Sequence, residues 1–296
     1  MKQREKYQAI AAAAVGNTVW GFSFLFTKVG MNAATPEVLL SIRFIMAVLM
    51  VTVLMACGKV RISLRGKNVK PLIWLGVLEL AYFYFETYGV YYTNATFAGV
   101  VLSTTPVVSM AVAAAFLKEY PTRRQAVFCL FPIAGVIIVT LAGNSMGIIR
   151  PLGAVFLFLT CAVSAAYKTI NRRCAQEFTG FERTYAVLLM SVVVFTFAAF
   201  RSVDWSLTEY LRPLSDPSFL SSVLILSAFC SVGANVMVNY AAGHMTVVQL
   251  ATYGALTTVC SMFSGVIFLH EPITLLSFLG SILILIGVWQ VTKEKR

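Results

Sequence analysis

The apolar runs of this chain repeat, and that repeat constrains the fold more than any single residue does. Ten runs are long enough to cross a bilayer, at roughly 8–29, 37–57, 71–92, 96–117, 125–143, 151–170, 184–200, 219–240, 246–269 and 273–292, and are numbered spans 1–10. The second five echo the first. Lys28 and Thr35 recur as Arg172 and Thr179, an offset of 144. Ser109-Met110, Glu119, Thr122 and Gly135-Val136 recur as Ser261-Met262, Glu271, Thr274 and Gly287-Val288, an offset of 152. The polar stretch from Arg201 to Pro217 absorbs the difference. Five spans per copy is an odd number, so the second copy crosses the bilayer in the opposite sense. Inverted repeats with a binding site at their interface are a recurrent plan of secondary transporters. The expected fold is an all-α integral membrane protein, ten transmembrane helices as two inverted five-helix repeats, over residues 1–143 and 144–296.

Composition agrees. The chain is 59% hydrophobic and 12% charged, where a soluble domain carries about a quarter charged residues. The spans use up most of the chain and leave no separate soluble domain. A closed barrel would need short alternating segments, and these runs are continuous. The excess of 23 Lys+Arg over 12 Asp+Glu would suggest nucleic acid in a soluble chain, but its distribution points to the membrane. With the N-terminus cytoplasmic, eighteen of these cations fall on that side, Lys168 and Arg183 among them. Four fall on the other (Lys28, Arg150, Arg201 and Arg212), and Arg43 lies inside a span. This positive-inside split predicts both termini in the cytoplasm and an inner-membrane location. The basic loop after span 2 and the basic Lys118–Arg124 turn both have less basic repeat counterparts, as inversion requires. No nucleic-acid partner is expected.

Met1–Lys6 and the alanine run after it imitate a leader, but Asn17 and Trp20 interrupt the run and it continues to Lys28, so cleavage is not expected. The six cysteines stand singly in or beside spans, without metal or redox spacing. The only histidines are His244 and His270, and His270-Glu271-Pro272 lacks the second histidine of a zinc helix. With no phosphate loop either, no cofactor, metal or direct ATP drive is expected. Asn94-Ala95-Thr96 matches a glycosylation sequon but reads as a turn.

Span 3 is the least lipid-like, running Glu79-Leu-Ala-Tyr82-Phe83-Tyr84-Phe85-Glu86-Thr87-Tyr88-Gly89. Glu79 and Glu86 share a helical face with Tyr82. An intramembrane carboxylate is costly and faces a cavity or a partner. Glu86 is a candidate proton-coupling residue. With Tyr82 and Tyr88 it is also a candidate for holding a cationic solute by charge and cation–π attraction. Structural pairing remains the alternative. Glu79 reads as a solvated or loop-paired group nearer the cytoplasmic end. Arg43 reads as structural or snorkelling to the outer interface, with a carboxylate or phosphate clamp as the rival. Ser227, Ser231, Asn235 and Asn239 form a stripe on span 8, the repeat counterpart of span 3, so the two polar faces are expected to meet across one cavity. Asn17, Trp20 and Ser23 in span 1, Ser164 and Tyr167 in span 6, and Gln249, Thr252 and Tyr253 in span 9 complete the candidates. Glu119 and Glu271 read as caps of the following helices, and Pro106 as a kink.

Together these residues resemble the drug/metabolite transporter superfamily, in its ten-span branch with two EamA-type repeats. The resemblance is carried by Trp20-Gly21, Pro36 with Arg43-Phe44, and Tyr92-Thr93-Asn94-Ala95. Further matches are Glu86-Thr87-Tyr88-Gly89, Pro106 with Leu117-Lys118-Glu119, and Leu269-His270-Glu271-Pro272-Ile273-Thr274. Ser164-Ala165 stands where the first repeat has Trp20-Gly21, so the cavity lining is not expected to be symmetric. The resemblance implies alternating access and a central cavity formed by spans 1, 3, 4, 6, 8 and 9.

The resulting expectation is a secondary carrier of small amino-acid- or amine-like solutes in a bacterial inner membrane, an exporter or facilitator. The binding candidates are Glu86, Tyr82, Trp20, Asn17, Asn235, Asn239, Tyr88 and Tyr253. A proton-coupled exporter of quaternary ammonium compounds is the rival transport reading, and an intramembrane enzyme or a membrane scaffold the rivals of another class.

Overall fold

The structure is a computed structural model that describes residues 3–63, 66–102, 149–245, 247–270 and 274–292, with isolated positions from 104 to 138. Its long helices are α1 (Gln3–Gly30), α2 (Pro36–Ala56), α3 (Lys70–Tyr91), α4 (Ala95–Leu102), α5 (Pro151–Cys174), α6 (Gly180–Ser202), α7 (Pro217–His244), α8 (Val247–Phe268) and α9 (Leu275–Thr292). They carry spans 1–4 and 6–10 in order. Most of span 5, together with Pro106, Glu119 and Glu271, lies outside the described residues, as do the side chains of Gln249 and Thr252.

The recurrence of Thr35 as Thr179 has a local cause: both are N-caps. Thr35 Oγ1 accepts the Val38 amide at 3.4 Å and opens α2. Thr179 Oγ1 accepts the Glu182 amide at 3.2 Å while Glu182 Oε2 accepts the Thr179 amide at 2.8 Å, a full capping box opening α6. Lys67, in the loop after α2, donates to both Glu182 oxygens at 2.8 Å, tying that loop to the second repeat.

Among the described residues, five helices are long and apolar enough to cross a bilayer: α1 from Tyr7, α2, α5, α6 and α7. Their surface is inverted relative to a protein in water. Val193, Phe197, Leu49 and Val53 are exposed, whereas Ser41, Thr160, Ser191 and Ser227 are fully buried. Such a rim is stable against lipid, where apolar exposure costs nothing and unsatisfied polar groups are penalised.

The packing respects the repeat. α3 packs on α5 and α6, and α7, its repeat counterpart, packs on α1 and α2. The pairs α2–α6 and α4–α8 each map onto themselves when the halves are exchanged. Between Leu226 and Ala234, α7 widens into a π-helical stretch, where Ser227 and Ser231 grip Arg43 of α2.

Helices α1 and α8 approach closely at Gly21. A Cβ there would lie 2.4 Å from Cys260 Cβ and 2.7 Å from the Thr257 carbonyl oxygen of α8. Because one obstacle is backbone, α1 and α8 would have to separate. Gly21→Ala should therefore lower stability by about 1–3 kcal/mol, seen as a lower melting temperature of the purified protein. An unchanged melting temperature would show that the two helices part freely.

Candidate functional site

The helices α1, α3, α4, α5, α7 and α8 surround a cavity of about 80 Å³, into which Arg43 of α2 also reaches. That is room for a few waters or a solute of several heavy atoms. Its wall follows the repeat. Trp20 and Ser164, Ser23 and Tyr167, and Phe24 and Lys168 all line it, each pair 144 residues apart. So do Glu86 and Val238, Leu102 and Gly254, and Thr105 and Thr257, each pair 152 apart. The cavity thus straddles the pseudo-symmetric interface. Equivalent positions of the two halves line it, but their side chains differ.

On the α3 wall, Glu86 is 8% exposed and accepts a 2.9 Å hydrogen bond from Tyr82 Oη. One face-repeat earlier, Glu79 lines the same cavity with the side chains of Tyr167 and Asn235 beside it. Its placement corrects the reading of Glu79 as a solvated group near the cytoplasmic end. Nine residues into α3, about 14 Å at 1.5 Å per residue, it sits near mid-helix and is covered by α5 and α7.

At Arg43 the structural half of the reading agrees with the contacts and the snorkelling half does not. The side chain does not snorkel outward but is 2% exposed. Its Nε donates to Ser231 Oγ at 2.7 Å, and its guanidinium lies 4.8 Å from the Phe83 ring centroid and 5.6 Å from that of Phe44. Ring faces and a hydroxyl replace the water that snorkelling would have sought. Its charge also acts on Glu86 and Glu79.

Among the other candidates, Asn17 and Trp20 line the cavity. Asn17 Nδ2 donates to the Ala13 carbonyl at 2.7 Å, and Thr257 Oγ1 donates to the Asn17 carbonyl at 2.9 Å. The Trp20 indole donates to the Cys230 carbonyl at 3.3 Å, pinning the ring.

The structure puts four candidates elsewhere. Asn235 stands beside Glu79 but is not part of the cavity wall. Its amide donates to the Ser231 carbonyl at 3.2 Å, so the span 3 and span 8 polar faces touch through it rather than across open space. Asn239 is consumed by a structural network, accepting from Asn171 Nδ2 at 2.7 Å and donating to Thr184 Oγ1 at 2.9 Å. Tyr88, two residues and about 200° of helix beyond Glu86, donates to Glu37 and packs among Tyr84, Tyr92 and Phe156. Tyr253 packs against the Ala13–Val238–Leu250 cluster.

Sequence reasoning missed Lys168, Tyr167's proximity to Glu79, and Arg183. Lys168 and Arg183 were assigned to the cytoplasmic face by charge alone. Lys168 in fact lines the cavity, and Arg183 is 2% exposed. The available signal for Lys168 was its spacing. It lies four residues after Ser164 and so on the same helical face. Among the described residues, no group of His, Cys, Asp and Glu could hold a metal ion.

The profile of the EamA-like transporter family matches residues 8–141 and 151–293. A curated relative, "Uncharacterized transporter YcxC" of Bacillus subtilis (strain 168), is 28% identical over 292 residues, covering 97% of this chain and 94% of its own. An "Uncharacterized transporter" of Archaeoglobus fulgidus is 23% identical over 281 residues, covering 94% and 96%. A solved crystal structure at 16% identity aligns over 95% of each chain with a TM-score of 0.64, a likeness of fold alone.

Proposed function

Because the chain belongs to the EamA-like transporter family, we propose that it is a secondary carrier of small amino-acid- or amine-like solutes, an exporter or facilitator working by alternating access. The observation that carries this reading is the charged, aromatic cavity at the interface of the two repeats, where both halves contribute equivalent positions. Rocking one half against the other would expose such a cavity to either side in turn. Its binding residues are Glu86, Glu79, Tyr82, Trp20, Asn17 and Arg43. We place the carrier in the cell (inner) membrane with both termini cytoplasmic. With Lys168 and Arg183 removed from the charge split, sixteen cations still face four, and a reporter fused after Arg296 should remain inside the cell.

The test is counterflow in liposomes containing the purified protein. Labelled amino acids and amines should accumulate against preloaded unlabelled solute, above protein-free liposomes. Failure of every such solute to exchange would end the carrier reading. Trp20, Tyr82 and Glu86 on one cavity also favour a second reading, a proton-coupled exporter of quaternary ammonium ions. Uptake of such an ion that needs an imposed pH gradient would select it.

A further inference from the structure

If the carrier reading holds, the cavity itself narrows the solute. Among the described residues, four charged side chains line it: Glu79 and Glu86 on α3, Arg43 on α2 and Lys168 on α5. Among the described residues the ion pairs are Lys67–Glu182 and Arg212–Glu209, so none of the four pairs with another within 4.0 Å. Arg43 is satisfied by Ser231 and two rings, and Glu86 by Tyr82. Lys168 differs from both. Among the described residues it makes no hydrogen bond or ion pair. An ammonium group held within a membrane bundle without a partner is costly, and such groups mark function.

The repeat shows that the fold does not require this charge. The position equivalent to Lys168 is Phe24, and the position equivalent to Glu86 is Val238; all four line the cavity. The cavity therefore carries its acidic groups on the first half and its unpartnered basic group on the second. Depth agrees. Leu72 of α3 and Cys174 of α5 share one core cluster, so the start of α3 adjoins the end of α5. Measured from those ends, Lys168 lies about 9 Å in, Glu79 about 14 Å in and Glu86 about 24 Å in, at 1.5 Å per residue, so Glu79 is the carboxylate nearest the depth of Lys168.

We propose that Lys168 receives the anionic group of the transported solute while the acidic wall of α3, with Glu79 nearest Lys168, receives its cationic group. The solute is then a zwitterion of the α-amino-acid kind, not a simple amine or a quaternary ammonium ion. Of the two cations on the described cavity wall, Arg43 is already held by Ser231 and the Phe44 and Phe83 rings, and Lys168 is the one left to meet an anionic group.

The test compares purified wild type with Lys168→Met and Lys168→Arg. The probes are the common protein amino acids, the amine obtained from each by decarboxylation, and choline. Binding is read by thermal shift and titration, transport by counterflow. At least one amino acid should bind wild type about tenfold or more tighter than its amine. Lys168→Met should abolish that preference, leave amine binding within about twofold, and melt no lower than wild type because a charge without a partner has been removed from the bundle. Lys168→Arg should keep the preference. Retention of the preference by Lys168→Met overturns the proposal. Amines or choline binding where no amino acid does also overturns it, while leaving the carrier reading standing. If no probe binds or exchanges, the carrier reading falls with it.

Discussion

The Glu86→Gln protein is expected to fold like wild type and to lose transport by about tenfold or more. Gln keeps the size and the acceptor oxygen, so the 2.9 Å bond from Tyr82 can persist. What disappears is the negative charge facing the cavity, with any proton it carries. A hydrogen bond from a cationic solute to a charged acceptor is worth about 1.5–3 kcal/mol, roughly twice its neutral equivalent, which sets the size of the loss. Melting temperature should stay within a few degrees, because an amide is cheaper to bury than a carboxylate. A purely structural Glu86 predicts the reverse, a lower melting temperature with near-normal transport by the protein that survives. Both readings are measured on one preparation, by thermal melting and by counterflow. Normal transport across the pH range would end the binding and coupling roles together.

The largest stability loss is expected at Arg183, on the other side of Asn171 from the cavity. Its Nη1 donates to Asn171 Oδ1 at 2.6 Å and to the Asn171 carbonyl at 3.0 Å, and its Nη2 to the Asn239 carbonyl at 2.6 Å. One guanidinium thereby clamps α5 and α7 onto α6. Arg183→Met should cost about 3 kcal/mol or more, since several charge-assisted bonds vanish and buried acceptors are left unpaired. Arg183→Lys should recover little, because a single ammonium cannot reproduce the planar fork. Thermal melting of both variants checks this. A wild-type melting temperature for Arg183→Met would show that the three helices hold together without the clamp.

The positions of the spans were legible in the chain because length and hydropathy decide alone whether a segment can cross lipid. The described helices α2, α3 and α5–α9 start and stop within about four residues of the apolar runs, α1 begins somewhat earlier than its run, and α4 is described only to Leu102. The repeat was legible for a similar reason. Caps such as Thr35 and Thr179 obey local backbone rules, so they recur wherever the same helix starts again. The special character of span 3 could also be read directly, since two carboxylates seven residues apart within an apolar run admit few explanations.

The direction of each polar side chain was decided by the tertiary structure. In water, polarity distinguishes outside from inside. In lipid, the outer rim and the packed core are both apolar, so a polar residue is marked as buried without its neighbour being named. Tyr82 and Tyr88 look interchangeable in sequence, yet one meets Glu86 in the cavity and the other meets Glu37 outside it. Asn239 looks like a binding amide until Arg183, Asn171 and Thr184 occupy it. Lys168 and Arg183 look like cytoplasmic charges because positive-inside counting assigns a side and takes no account of burial. Arg43 stays inside because Phe83 and Ser231, forty and 188 residues further along the chain, supply what an interface would have supplied. The sequence by itself determined how many helices cross and in what repeated order. Which charges face one another was left to contacts between residues far apart in the chain, and those exist only once the two halves have packed.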